Sequence, residues 1–182
     1  MVRRVASQHL GSLLLNVVTA KGKQCVEQDG MLTTTFLPLY EELASNEQPD
    51  SVRLQSTENC IAFGKAMTGL FKNEEEGKTM LDSDDLSLAA AGILVKRILP
   101  LIVSTIDDRS WRVRWTAASK FADVVKSFTE LEGAMDSLIP AYEKFLEDPE
   151  AEVSWFVPFL FIGVGLGMTF NFDMENRHFH LL

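Results

Sequence analysis

Three short segments of this chain repeat one another. Phe36-Leu37-Pro38-Leu39, Ile98-Leu99-Pro100-Leu101 and Leu138-Ile139-Pro140-Ala141 each set two apolar residues before a proline and another after it. Each is followed by an acidic or turn-rich stretch and then by a valine that opens a new apolar pattern. These valines are Val52, Val113 and Val153, at 14, 13 and 13 residues from the proline. With Val2 counted, three of the four valines are followed directly by arginine: Arg3, Arg53 and Arg114. A repeated unit of this size implies stacking, because one unit cannot bury its apolar face alone.

Each unit reads as two helices. Leu32, Phe36, Leu39 and Leu43 step by four, three and four, the spacing of a helical stripe. Residues 46–51 then break the pattern with Pro49 and supply Asp50 or Ser51 as an N-cap. Val113, Ala117, Phe121, Val124 and Phe128 form a second stripe, and Met135, Leu138, Tyr142 and Leu146 begin a further unit. Pro38, Pro100 and Pro140 fall inside helical patterns, so a kink is expected at one register of every unit.

The valine-to-valine periods are 50, 61 and 40, and the last falls near the ~40–47 residues of HEAT or armadillo repeats. The excess lies in two polar stretches, 20–30 and 69–85, expected as long loops between units. The second carries six acidic residues between Glu74 and Asp85, which fits a solvated loop or, as the alternative, an acidic docking element. The expected fold over residues 1–154 is an all-α solenoid of antiparallel helix pairs in a right-handed superhelical stack. It has one unpaired leading helix, two full pairs and a partial third.

After Val153 the repeated arginine is Ser154, and residues 155–172 carry no charge. Three readings are open for the tail 155–182: a membrane anchor through 155–172, a buried helix, or translated sequence foreign to the repeat. Length meets the rule for a membrane span, and Pro158, Gly163, Gly165, Gly167 and Asn171 stand against it.

Several functions find no support. Lys plus Arg is 17 against 26 Asp plus Glu, a net charge of −9, the wrong sign for general nucleic-acid binding. At 182 residues and 46% hydrophobic content the chain buries a core without a disulfide or a metal. Cys25 and Cys60 fit a reducing compartment, with Cys60 on an apolar helical face. Two of three histidines, His178 and His180, sit in the terminal tail, so no zinc motif is expected. The 163–167 glycine run lacks the strand-turn-helix setting of a nucleotide loop, and no nucleophile elbow is present. The chain is therefore read as non-catalytic and cofactor-free.

Asp108-Arg109-Ser110-Trp111-Arg112-Val113-Arg114, followed by Ala117-Ala118-Ser119-Lys120-Phe121, resembles a repeat of the scaffolding A subunit of protein phosphatase 2A. Leu43-Ala44-Ser45-Asn46-Glu47-Gln48 with Asp50-Ser51-Val52-Arg53-Leu54 resembles another, and Met1 to Ser7 looks like the start of a second helix before it. Leu138-Ile139-Pro140-Ala141 with Glu150-Ala151-Glu152-Val153 fits the next repeat. The resemblance implies a HEAT solenoid whose intra-repeat turns bind phosphatase regulatory subunits. It also implies a partial scaffold without the repeats that dock the catalytic subunit, in the cytoplasm with the nucleus also open. A different HEAT adaptor, such as a transport receptor, is the alternative, beside the membrane-anchored reading.

The resemblance puts partner contact on the turns: Arg3, Arg4, Glu47, Asp50, Asp107, Asp108, Ser110, Trp111 and Arg112. Trp111 is an aromatic of the type that anchors interfaces, and Arg112 offers a planar fork to a carboxylate. Arg4 is the extra arginine beside the repeated one. Arg53 and Arg114 are expected instead to pair with acidic residues of neighbouring turns, a ladder that stiffens the stack. For most of the turn acids a place near the start of a helix is sufficient explanation, since the macrodipole favours negative charge there.

Overall fold

The computed structural model describes residues 1–71 and 85–154, together with two short strands at 170–173 and 178–181. The acidic part of the second loop and most of the apolar tail, including the 163–167 glycine run, lie outside the described residues.

Helix α1 (Val2–Lys21) buries Ser7, Leu10, Gly11, Leu14 and Val18, a stripe at helical spacing. It is followed by α2 (Leu37–Ala44), α3 (Asp50–Arg53) and α4 (Ser56–Leu70). Then come α5 (Asp85–Ile93), α6 (Leu99–Ser104), α7 (Trp111–Phe128), α8 (Ala134–Leu146) and α9 (Ala151–Ser154). The architecture is one of stacked helix-turn-helix units. α1 packs on α4 and α4 on α7, so the second helices form one layer, while α6 packs on α4 and α8 in the other.

Between α1 and α2 the expected long loop is in fact a packed connection. A 3₁₀ turn at Gly22–Val26 buries Cys25 and Val26 in the common core. The N-cap of α3 is Pro49, and Asp50 is the first residue of its first turn, a shift of one from the sequence expectation. The strands Phe170–Asp173 and His178–Leu181 pair antiparallel, with Phe170 opposite Leu181. The all-α expectation thus holds for the helical units and departs at this pair, where residues 170–172 are extended rather than helical.

The repeated prolines act in two different ways. Before Pro38 and Pro100 the helix opens into π turns, Leu32–Phe36 and Leu94–Ile98, and the following N–H groups of Leu37 and Leu99 reach five residues back to Leu32 and Leu94. Proline has no N–H and its ring collides with the carbonyl four residues earlier, so a wider turn relieves the clash. Counted from each proline, the same positions are buried: Leu32, Phe36, Leu37, Tyr40 and Ala44, then Leu94, Ile98, Leu99, Ile102 and Ile106. Pro140 instead lies inside an uninterrupted α8, and the buried set there is Ala134, Leu138, Ala141, Tyr142 and Phe145.

The second helices approach closely at small residues. A Cβ on Gly11 would lie 2.9 Å from Ala62 Cβ, and one on Gly64 would lie 2.8 Å from Ser127 Cβ. Beside Gly11, the buried Asn59 grips α1 with both ends of its amide. Its Oδ1 accepts from Gly11 N at 3.0 Å and its Nδ2 donates to Ser7 O at 3.1 Å.

One helical stretch among the described residues is long and apolar enough to cross a membrane: Ser87–Asp107, with mean hydropathy 1.7. It is the first helix of the unit that contains Pro100. Leu94, Ile98, Leu99, Ile102 and Ile106 lie in the core, and Arg97, midway along it, pairs with Glu41 of the preceding unit through Nε and Nη2, each at 2.8 Å.

Candidate partner-binding ridge

The turns between first and second helices lie side by side, because each second helix starts against its neighbour: α3 against α1 and α7 against α3. One hydrogen-bonded chain runs along them. Arg3 Nη1 donates to Gln48 Oε1 at 3.2 Å, and the Gln48 carbonyl accepts from Arg53 Nη1. Arg53 then clasps Asp108 with two bonds of 2.7 Å, Nε to Oδ2 and Nη2 to Oδ1. The Asp108 carbonyl accepts from Arg114 Nη1 at 2.9 Å, and Arg114 clasps Asp148 at 2.7 and 3.0 Å. Arg53 and Arg114 therefore each hold the backbone of their own turn and the side chain of the next, while Arg3 reaches only the side chain of the next.

Exposure differs sharply along this chain. Arg53 and Asp108 are 2% exposed, whereas Arg3 is 64% exposed and stands 3.7 Å from Glu42. Gln48 occupies the place that Asp108 and Asp148 hold in the later turns, so the first rung carries a neutral amide. Asp108 and Asp148 also accept the N–H two residues on, from Ser110 at 2.8 Å and Glu150 at 2.9 Å, which fixes each turn locally. Burial works to raise the Asp108 carboxyl. The Arg53 hydrogen bonds, the Ser110 N–H and the charges of Arg53 and Arg109 outweigh it, and the group sits below its ordinary value.

The sequence-derived contact residues divide accordingly. Arg4, Glu47, Asp107, Trp111 and Arg112 are exposed, and Asp50 and Ser110 are half-buried. Asp108 departs from the expectation of a surface contact: it is buried, with its carboxylate engaged by Arg53 and Ser110. Asp107 is exposed and ion-paired with Lys144 at 2.8 Å. Arg3 is committed in part to Gln48 and Glu42. Trp111 is 43% exposed, with the Arg112 guanidinium 5.9 Å from its ring centre. The pairing of Arg53 and Arg114 with acids of neighbouring turns is as the sequence implied.

Two features escaped sequence reasoning. Trp115 is 40% exposed one helical turn after Trp111, a relation that the four-residue spacing of two tryptophans off the Val113–Ala117–Phe121 stripe announces. Gln48 as a rung of the ladder could have been found by aligning Gln48-Pro49 with Asp148-Pro149. Cys60 is fully buried in α4, and burial pushes its thiol well above the ordinary value. Among the described residues no group of three or more His, Cys, Asp or Glu is placed to hold a metal ion.

The HEAT repeat family matches residues 98–128, from the last residue of the second π turn to the end of α7, and so contains the turn with Asp108, Trp111 and Arg112. No curated protein and no solved structure matches the chain. The matched HEAT repeat lies within stacked helix-turn-helix units, the architecture of a helical-repeat protein.

Proposed function

We propose that this chain is a scaffold segment of the kind found in the A subunit of protein phosphatase 2A, taking regulatory subunits on its intra-repeat turns and thereby directing serine/threonine dephosphorylation. The observation that carries the reading is the HEAT-matched turn, which presents Trp111 and Arg112 exposed and also supplies Asp108 to the buried Arg53–Asp108 pair. A rigid turn that presents an aromatic beside an arginine meets the requirements of an interface anchor, since little ordering is needed when the partner arrives. Contact with a catalytic subunit is not part of the proposal.

Capture of purified phosphatase regulatory subunits on the immobilised chain tests it. Binding is expected, and Trp111→Ala is expected to weaken it by about 2 kcal/mol or more. Failure to bind any regulatory subunit, or binding indifferent to Trp111→Ala, Arg4→Glu and Arg112→Glu together, would overturn the reading.

A further inference from the structure

The ladder consumes charges, and those it leaves over follow a pattern. Three arginines are clasped by carboxylates through two nitrogens each: Arg53, Arg97 and Arg114. Arg3 is held more loosely by Gln48 and Glu42. Among the described residues Arg4, Arg109 and Arg112 have no carboxylate within ion-pair distance, and all three are exposed at the starts of second helices. In the turn at residues 107–110 the local acids are already engaged, Asp107 by Lys144 and Asp108 by Arg53. Arg109 and Arg112 therefore stand as two exposed cations outside any ion pair, flanking Ser110-Trp111 in the sequence, with the Arg112 guanidinium 5.9 Å from the Trp111 ring centre.

The flanking turns have the opposite sign. Glu47 and Asp50 in the turn before, and Glu147, Glu150 and Glu152 in the turn after, have no cation within ion-pair distance. Neighbouring helices lie about 8–10 Å apart, near the Debye length at physiological salt, so each turn is felt as a separate patch. A chain of net charge −9 repels an anionic segment on the whole, and the acidic turns on both sides sharpen that repulsion.

We infer that the turn at residues 107–110 with the start of α7 is a seat for an acidic segment of the partner, with two carboxylates reaching Arg109 and Arg112 and an apolar side chain on Trp111. The acidic turns on either side fix its register by excluding carboxylates from the adjacent positions. This rests on the turns being the docking ridge and adds the chemistry of what docks there.

The test uses a fluorescein-labelled peptide with two glutamates on each side of a phenylalanine, followed by fluorescence anisotropy on the full chain. Binding is expected at about 20 mM salt and weakens as salt rises. Reversing both arginines, Arg109→Glu with Arg112→Glu, is expected to reduce affinity about tenfold or more. Reversing two exposed lysines elsewhere, Lys65→Glu with Lys96→Glu, changes net charge equally and is expected to change affinity far less. Replacing the peptide's phenylalanine by glycine and Trp111 by alanine is expected to cost no more together than either alone. Absence of binding at low salt, equal loss from the arginine and lysine reversals, or additive losses at phenylalanine and Trp111 would each overturn the inference. Regulatory-subunit capture is read in parallel. Capture without peptide binding sinks the acidic seat and leaves the scaffold reading standing; peptide binding without capture does the reverse.

Discussion

Arg53 and Asp108 lie 55 residues apart in the chain and join through two 2.7 Å bonds in a site where each is only 2% exposed. Such a pair is costly to break and cheap to replace. Taking two charges from water offsets most of their attraction, but removing one partner strands the other. Asp108→Ala or Arg53→Met alone is therefore expected to destabilise the fold by about 3–5 kcal/mol, measured by urea denaturation. The double replacement Arg53→Met with Asp108→Leu is expected to lose less than either single change. Additive losses would show that the two side chains are not energetically coupled and that the cost of each single change arises elsewhere.

The same pair predicts an acid limb. An unfolded aspartate titrates near about 3.9, and Asp108 in the fold titrates lower. The folded state then binds fewer protons than the unfolded one between these values. The contribution of the pair is complete above the unfolded value and disappears as pH falls through the folded one. Stability of the wild type is expected to fall from about pH 5 downward, and Asp108→Asn, already weaker at neutral pH, is expected to fall less steeply. Urea midpoints across that range decide the matter. Parallel curves would remove Asp108 from the acid response.

Three glycines should respond oppositely to one substitution. Gly11→Ala and Gly64→Ala place a methyl group 2.9 Å from Ala62 Cβ and 2.8 Å from Ser127 Cβ, so paired helices must separate. A loss of about 1–3 kcal/mol is expected, although alanine is the better helix former. At Gly92 nothing lies within 4 Å of the added methyl, and Gly92→Ala is expected to gain up to about 1 kcal/mol. Thermal melts of the three variants rank them directly.

Trp111→Ala is expected to leave stability within about 1 kcal/mol of the wild type, because the ring is 43% exposed. A loss of several kcal/mol in chemical denaturation would make Trp111 a structural residue and remove it from the ridge.

Helical stripes were most legible where the helix is uninterrupted. All five residues of the Val113–Phe128 stripe are buried, because α7 is an unbroken α-helix and its period is regular. In the first helices the same reasoning slips. The stripe read through Leu39 finds that residue only partly buried, while Leu37 and Tyr40 are in the core, since a π turn advances the chain by one residue. Proline at the repeated position marked where the disturbance lies. Whether it becomes a widened turn, as at Pro38 and Pro100, or is absorbed, as at Pro140, depends on packing that sequence spacing does not carry. The ladder arginines were legible from their common register, but the burial of Asp108 was not. A turn acid that caps a helix and one that is sealed beneath it share the same local sequence.

Because each rung shares a residue with the next, the ridge is mechanically a set of links in series. Gln48 receives Arg3 on its side chain and Arg53 on its carbonyl; Asp108 receives Arg53 on its side chain and Arg114 on its carbonyl. Tension along such a line is carried equally by every link and released at the softest. Here that is the single bond from an exposed arginine to a neutral amide, at the Arg3 end. A partner pulling on the ridge would thus unfasten the first turn while the turns around Asp108 and Asp148 keep their spacing.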